Sequence, residues 1–316
     1  MIGKDLNFAK KCLNQNLLVA IPTETVYGLA ANAENEEAVL KVFESKERPK
    51  FNPLIVHGHS IEQLSNCVVN FGEDALKLAK KYWPGPLTLL LNKQNVSDLV
   101  TAGSKKVAIR IPNHELTLKL LKSLEYPLVA PSANKYQRLS PTSALHVEEQ
   151  LGDNVSYILD GGTTSIGIES TIVGFEGEQP ILYRYGGVSI EHIEKTLGKK
   201  VLLNTNSENS DSPGLQKVHY SPTKKLIIGD IQSLINENQN KKIGVLSFSK
   251  QYNQKEIVVN RILSSTGSIN EAATNLFGAL NSLEKLDIDV IITELVPSQG
   301  IGYAINDRLE RAAAKY

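Results

Sequence analysis

At 316 residues the chain exceeds the roughly 250–300 residues that one core usually fills, so two domains are expected. Apolar residues make up 41% and charged residues 22%, a globular rather than a disordered balance. Lys plus Arg equals Asp plus Glu at 34 each, which argues against a bulk polyanion binder, and no apolar run approaches the ~18 residues of a membrane-spanning helix.

The first residues carry Asp5 and three lysines but no apolar signal region, so no secretory signal is expected. Cys12 and Cys67 are far apart and form no C-x-x-C pair, which speaks against a disulfide framework and a zinc ribbon. A reducing cytoplasm is the expected setting.

The first two-thirds alternate helix-like and strand-like segments. Helices are expected over 5–16, 35–46, 73–82, 114–124, 142–151 and 189–197. Strands are expected over 17–22, 54–57, 87–92, 107–111, 128–130, 157–159, 170–175 and 181–185. In the second helix Asn35 is a cap, and Val39, Val42 and Phe43 share one face. Several strands are continuously apolar, as strands covered on both faces are. The pattern is α/β with a large sheet. From 198 to 222 it breaks off, and residues 204–212 are polar without periodicity, a linker or loop. Strands then resume over 226–228, 243–248, 257–259 and 290–294, with helices over 231–236, 270–286 and 301–315. Ser268 and Glu271 have the spacing of a capping box. The expected organisation is a first domain over 1–200, a connecting segment over 201–223 and a small three-layer α/β domain over 224–316.

There is no Walker loop, no dinucleotide fingerprint and no nucleophile elbow. His114-Glu115 begins like a zincin motif, but Leu118 stands where the second histidine belongs. Four polar clusters punctuate strand ends, where α/β sheets bind ligands. Pro22 to Leu29 follows an apolar strand and reads as a polar site loop or as a turn with a short strand. Lys46, Arg48 and Lys50 lie within five residues, stiffened by Pro49 and Pro53. They suit a triphosphate, and equally a solvated helix C-terminus. Ala130-Pro131-Ser132-Ala133-Asn134, with Ser140 beyond, offers hydroxyls and an amide to phosphate or ribose, or forms a plain turn. Arg110 sits inside an apolar strand and needs an anion, either a substrate carboxylate or a structural Asp or Glu. Residues 212–222, ending in His219-Tyr220-Ser221-Pro222, are a stiff segment that serves as a lid or only as a connector.

In this order the segments PTETVYGL, KERPKFNPLIVH, WPGPLTLLL, VAIRIP, APSAN, ESTIV, LYRYG and PGLQKVHYSP resemble the threonylcarbamoyl-AMP synthases, the YrdC-domain family, over residues 1–223. YAINDRLERAA near the C-terminus resembles the end of the long form of that family. The resemblance implies a twisted, mostly parallel, open α/β sheet with a concave site, plus a smaller Rossmann-like three-layer α/β domain. It implies formation of threonylcarbamoyl-AMP and pyrophosphate from ATP, L-threonine and bicarbonate or CO2. Mg2+ would enter with the nucleotide. Tyr220 would close over the nucleotide. Partner proteins would then pass the group to tRNA beside the anticodon, and direct tRNA contact would be transient.

Carried over by motif, Lys46, Arg48, Ser132 and Asn134 form the catalytic quartet at the triphosphate. Asn52, Lys106, Ser140 and Arg184 are further ATP contacts. Thr25, His57, Arg110, Ala130 and Ser170 form the threonine pocket, with Arg110 on the carboxylate. Ser221 stands where the family more often has alanine. The competing readings are a non-catalytic RNA-binding module, which the neutral charge disfavours, and carbamoyl transfer from carbamoyl phosphate. The relatives that do the latter carry zinc-finger and acylphosphatase regions, for which this chain lacks the cysteines and the length.

Overall fold

A computed structural model describes residues 1–204 and 218–315. Most of the connecting segment, including Pro213 to Lys217 of the expected lid, lies outside the described residues. The chain divides into two compact units. One holds Met1–Tyr136, Pro141–Ser165 and the described residues 169–204; the other holds Gln137–Ser140, Ile166–Ile168 and the described residues 218–315. Among the described residues no helix is long and apolar enough to cross a membrane. Cys12 and Cys67 are buried and unbridged.

The first unit runs β1 (Ile2–Gly3), α1 (Leu6–Asn14), β2 (Val19–Ile21), β3 (Gly28–Asn32), α2 (Glu36–Lys46), β4 (Ile55–His57), α3 (Ile61–Ser65), α4 (Glu73–Tyr82), β5 (Leu87–Asn92) and α5 (Asp98–Thr101). It continues through β6 (Lys106–Arg110), α6 (Glu115–Ser123), β7 (Leu128–Val129), α7 (Ala144–Leu151), β8 (Tyr157–Leu159), β9 (Thr171–Glu176), β10 (Gln179–Arg184), α8 (Ile190–Leu197) and β11 (Leu202–Leu203). The second unit runs β12 (Lys225–Ile228), α9 (Ile231–Glu237), β13 (Ile243–Ser247), β14 (Ile257–Ile262), α10 (Ile269–Glu284), β15 (Val290–Thr293) and α11 (Gly302–Ala313).

Local chemistry fixes these limits. Asn35 Oδ1 accepts from Ala38 N at 2.9 Å, opening α2, and Glu36 and Glu37 suit the positive end of its dipole. Val39, Val42 and Phe43 are buried on one face, each contributing about 1.5–3 kcal/mol. Glu47, left-handed at φ 53°, ends the helix and turns the chain into the Arg48 loop. In α10 Ser268 Oγ accepts from Glu271 N at 3.3 Å, half of the expected capping box. The other half differs: the Glu271 carboxylate accepts from Ser264 and Thr266, and Ser264 Oγ takes the Ser268 N–H.

The large sheet has the order β1-β8-β2-β3-β7-β4-β6-β5-β9-β10-β11. The α/β class holds. Parallel pairs (β1–β8, β8–β2, β4–β6, β5–β9, β10–β11) are interspersed with antiparallel ones. The latter (β2–β3, β3–β7, β7–β4, β6–β5, β9–β10) include pairs joined by short links. Gly177-Glu178 makes such a link between β9 and β10, and Gly177 supplies the positive φ of 59° that the turn needs. The second sheet, β12-β15-β13-β14, is parallel throughout. Its core joins Ile231 and Ile235 of α9 to Ile243, Val245, Val290 and Ile292 on one face. On the other face Gly244 leaves room for Leu283 of α10 and for Ile288.

The first sheet is covered unevenly. On one face the main cluster packs α2, α4, α7 and α8 against residues such as Val56, Ile109, Leu89 and Val173. On the other face α1 and α6 cover one half alone, through Val19, Ile21, Ala30, Leu128, Ala130, Tyr157 and Leu159. The remaining half of that face is a cluster of strand residues alone: Ile55, Leu90, Ala108, Ile172, Ile181 and Tyr183. Strand side chains alternate, so His57 shares this face with Ile55, and Arg110 shares it with Ala108.

Candidate active site

The helix-free half of the face carries His57 and Arg110, two of the residues expected in the threonine pocket, while Ala130 packs in the α1/α6 cluster. Ile55–His57 pairs with Ala108–Arg110 in parallel register, which sets His57 beside Arg110. Arg110 is buried and fully engaged on two of its three nitrogens. Nη2 forms an ion pair with Glu24 Oε1 at 2.7 Å and donates to Thr25 Oγ1 at 3.0 Å, while Nε donates to Gly85 O at 3.2 Å. Among the described residues its Nη1 has no protein partner. Glu24 Oε2 also accepts from Asn113 N at 3.1 Å. Of the two anions open to Arg110 from sequence, the structural carboxylate is present, and Nη1 leaves room for the other. Glu24 is the residue beside Arg110 that sequence reasoning did not single out; the signal at hand was only that a buried strand arginine needs a carboxylate.

His57 Nδ1 lies 3.1 Å from Ile55 O, which places the proton there and leaves the Nε2 lone pair open. Burial, and secondarily the charge of Arg110, push its pKa down to about 3, so it is a neutral imidazole. Ser170 Oγ is 2.8 Å from Thr88 Oγ1 and accepts from Arg184 Nη2 at 3.0 Å. Arg184 Nε donates to Ser170 O at 3.0 Å. The register shifts between Leu182 and Arg184, re-aiming the arginine as a bulge does. Ala130 donates its N–H to Ile55 O at 3.2 Å. Gly28 is bridged to Ser132, and a Cβ on Gly28 would meet Ala130 Cβ at 3.0 Å. Glycine eases this close approach, since an added Cβ would press Ala130 aside.

The quartet is brought together around the C-terminus of α2. Lys46 Nζ, almost wholly buried, donates to Ser132 O at 2.5 Å and to Asn134 O. Tyr136 N returns a bond to Lys46 O at 2.8 Å. Burial, then the charge of Arg48, hold the lysine pKa well below its usual range. Arg48 Nη2 donates to Pro53 O at 3.0 Å and more weakly to Asn52 O, which closes the proline-stiffened loop around its guanidinium. Asn52 Nδ2 reaches Tyr136 Oη at 3.4 Å.

The remaining expected ATP contacts are Lys106, Ser140 and Tyr220. Lys106 begins β6, roughly 13 Å along the strand from Arg110 at ~3.3 Å per residue. Its Nζ donates to Tyr183 Oη at 3.3 Å. It also lines a cavity of about 380 Å3 with Asn70, Gly72, Asn92, Phe175 and Lys199. Ser140 and Tyr220 fall in the second unit. Ser140 is buried there. Tyr220, left-handed at φ 58°, packs against Phe277 at 5.5 Å and lies 5.5 Å from the Arg308 guanidinium.

Comparison with known proteins follows the same division. A family model described as telomere recombination (Sua5_yciO_yrdC) matches residues 11–186. A second, described as the threonylcarbamoyl-AMP synthase C-terminal domain (Sua5_C), matches residues 188–314. The threonylcarbamoyl-AMP synthase of Pyrococcus abyssi is 40% identical, over 98% of this chain and 94% of its own length. That of Bacillus subtilis is also 40% identical, over 96% and 92%. The crystal structure of P. abyssi Sua5 complexed with L-threonine superposes with a TM-score of 0.92 at 38% identity, covering 99% of this chain and 97% of that one. The chain belongs to the threonylcarbamoyl-AMP synthase family.

Proposed function

We propose that the chain makes threonylcarbamoyl-AMP and pyrophosphate from L-threonine, bicarbonate or CO2 and ATP, as a nucleotidyltransferase serving threonylcarbamoyladenosine modification of tRNA. The observation that carries this reading is a pair of neighbouring groupings in one unit. Lys46 is joined to Ser132 and Asn134, and Arg110 is joined to Thr25 beside His57. The Gly28–Ser132 bridge ties the two groupings together. The complex of the P. abyssi relative with L-threonine supports the amino-acid half.

In this reading Arg110 Nη1 takes the threonine carboxylate as a charge-assisted bond. Thr25 and Ser170 offer hydroxyls, Ala130 a close-packed wall, and His57 Nε2 a neutral acceptor. The ammonium of threonine combines with bicarbonate, releasing water and a proton, to give the carbamate. A carbamate oxygen then attacks the α-phosphorus as the bond to pyrophosphate breaks. No protein nucleophile is required. Fixed dipoles and the Arg48 and Arg184 charges stabilise the developing phosphate charge in a water-poor site. Asn52, Ser132 and Asn134 line the phosphate end.

Mg2+ accompanies the nucleotide and neutralises phosphate charge when bound. The donors here are cations and neutral oxygens, and among the described residues no three His, Cys, Asp or Glu cluster to hold a metal. That set fits an ion carried by phosphate oxygens and its own waters. The product goes to tRNA-transfer partner proteins in the cytoplasm, where ATP and tRNA reside. The test is pyrophosphate release with threonine and bicarbonate each omitted in turn. Release should require both; an equal rate without threonine would overturn the assignment.

A further inference from the structure

Lys46 is the last residue of α2, and its side chain is only 1% exposed. A lysine that grips a nucleotide needs accessible surface, and this one has almost none. Its Nζ meets two backbone carbonyls, Ser132 O and Asn134 O. No carboxylate or hydroxyl reaches it among the described residues. The same short loop is pinned from other sides. Ala133 N donates to Tyr27 O at 2.8 Å, Asn134 N to Ser132 O at 3.0 Å, and Tyr136 N to Lys46 O at 2.8 Å.

Resting on the synthase reading, we propose that Lys46 is a positioning residue. It clamps the Ser132–Asn134 backbone and so sets the phosphate-facing hydroxyl and amide, rather than offering its own charge to the triphosphate. Two backbone carbonyls take up two of the Nζ donors, and burial together with the Arg48 charge holds the lysine pKa below its usual range. Arg48 keeps its charge at any working pH, so the phosphate charge falls to it. The clamp also explains why the helix ends where it does. Glu47 turns away in the left-handed conformation, and the Lys46 stem runs back under the loop it holds.

The test is Lys46→Met, which keeps the apolar stem and removes both donors, measured beside Arg48→Ala. For Lys46→Met, kcat of pyrophosphate release should fall about 100-fold, the scale of a small misplacement of reacting groups. KM for ATP should stay within about threefold. Amide hydrogen exchange at Ala133 and Tyr136 should quicken about tenfold or more, the equivalent of one lost hydrogen bond. Arg48→Ala should raise KM for ATP and leave that exchange unchanged. If Lys46→Met does not fold, Lys46→Gln, uncharged and shorter, carries the same readouts. A rise in KM for ATP with kcat retained, or unchanged exchange in the loop, would overturn the clamp. Wild-type chain without threonine-dependent turnover would sink the synthase reading instead, and the exchange measurement would still decide the clamp.

Discussion

Lys46 and Arg110 are both cations buried in the first unit, and they are satisfied in opposite ways. Arg110 has a carboxylate, Glu24, at 2.7 Å, so the pair is charge-balanced before any ligand arrives. Among the described residues Lys46 meets only carbonyl dipoles, with a like charge, Arg48, nearby. A charge-balanced pair keeps an arginine ionised in a dry pocket and aims its free nitrogen. A cation among dipoles is driven toward neutrality and becomes a structural donor. On the proposed reading, one region receives an anion and the other holds a loop still.

The sharpest way to break this contrast is Glu24→Ala. It strands the Arg110 guanidinium in a buried pocket and should cost about 3–5 kcal/mol of stability, read by urea unfolding. Lys46→Met should cost less in the same experiment, because it removes a donor to two carbonyls and strands no opposite charge. Equal losses would erase the distinction. On the nucleotide side, Arg48→Ala should lower turnover about 10²–10³-fold in the pyrophosphate assay with the fold intact. Near-normal release would remove Arg48 from the phosphate site.

A finer test uses pH. His57 has a folded pKa near 3 against an unfolded value near 6.5. Above about pH 6.5 neither state binds the proton and the term is silent. As pH falls from about 6.5 toward 3, only the unfolded chain gains the proton, so stability is lost by about 1.4 kcal/mol per pH unit. His57→Asn should flatten that part of the profile relative to wild type, whereas parallel profiles would mean the imidazole protonates freely in the fold. The smallest effect belongs to the exposed Lys119–Glu115 pair at 2.6 Å. Glu115→Ala should leave the unfolding midpoint unmoved, as solvent-screened pairs do.

Much of this arrangement was legible from residue order. The Asn35 cap, the Val39–Val42–Phe43 face and the limits of α4 and β5 follow from local chemistry alone, and the structure keeps them. What local chemistry hides is pairing. Around Gly28 the sequence leaves a site loop and a turn with a short strand both open, because the strand character of Gly28–Asn32 comes from β2 and β7 on either side. The short α3 and α5 carry too few residues for periodicity to register. Within the site, each polar loop was visible, but their meeting was not. That Glu24 serves Arg110 across 86 residues, or that Lys46 reaches Ser132 at the same separation, is a property of the sheet order, which periodicity does not encode.

Gly28 carries one more implication. Gly28 is bridged to Ser132 and lies close against Ala130, so on the proposed reading the loop feeding the amino-acid pocket and the loop lining the phosphates share a backbone rung. Kinetic constants for the two substrates should therefore drift in concert when either loop is altered, and a library seeking a new amino acid will need compensating changes on the nucleotide flank.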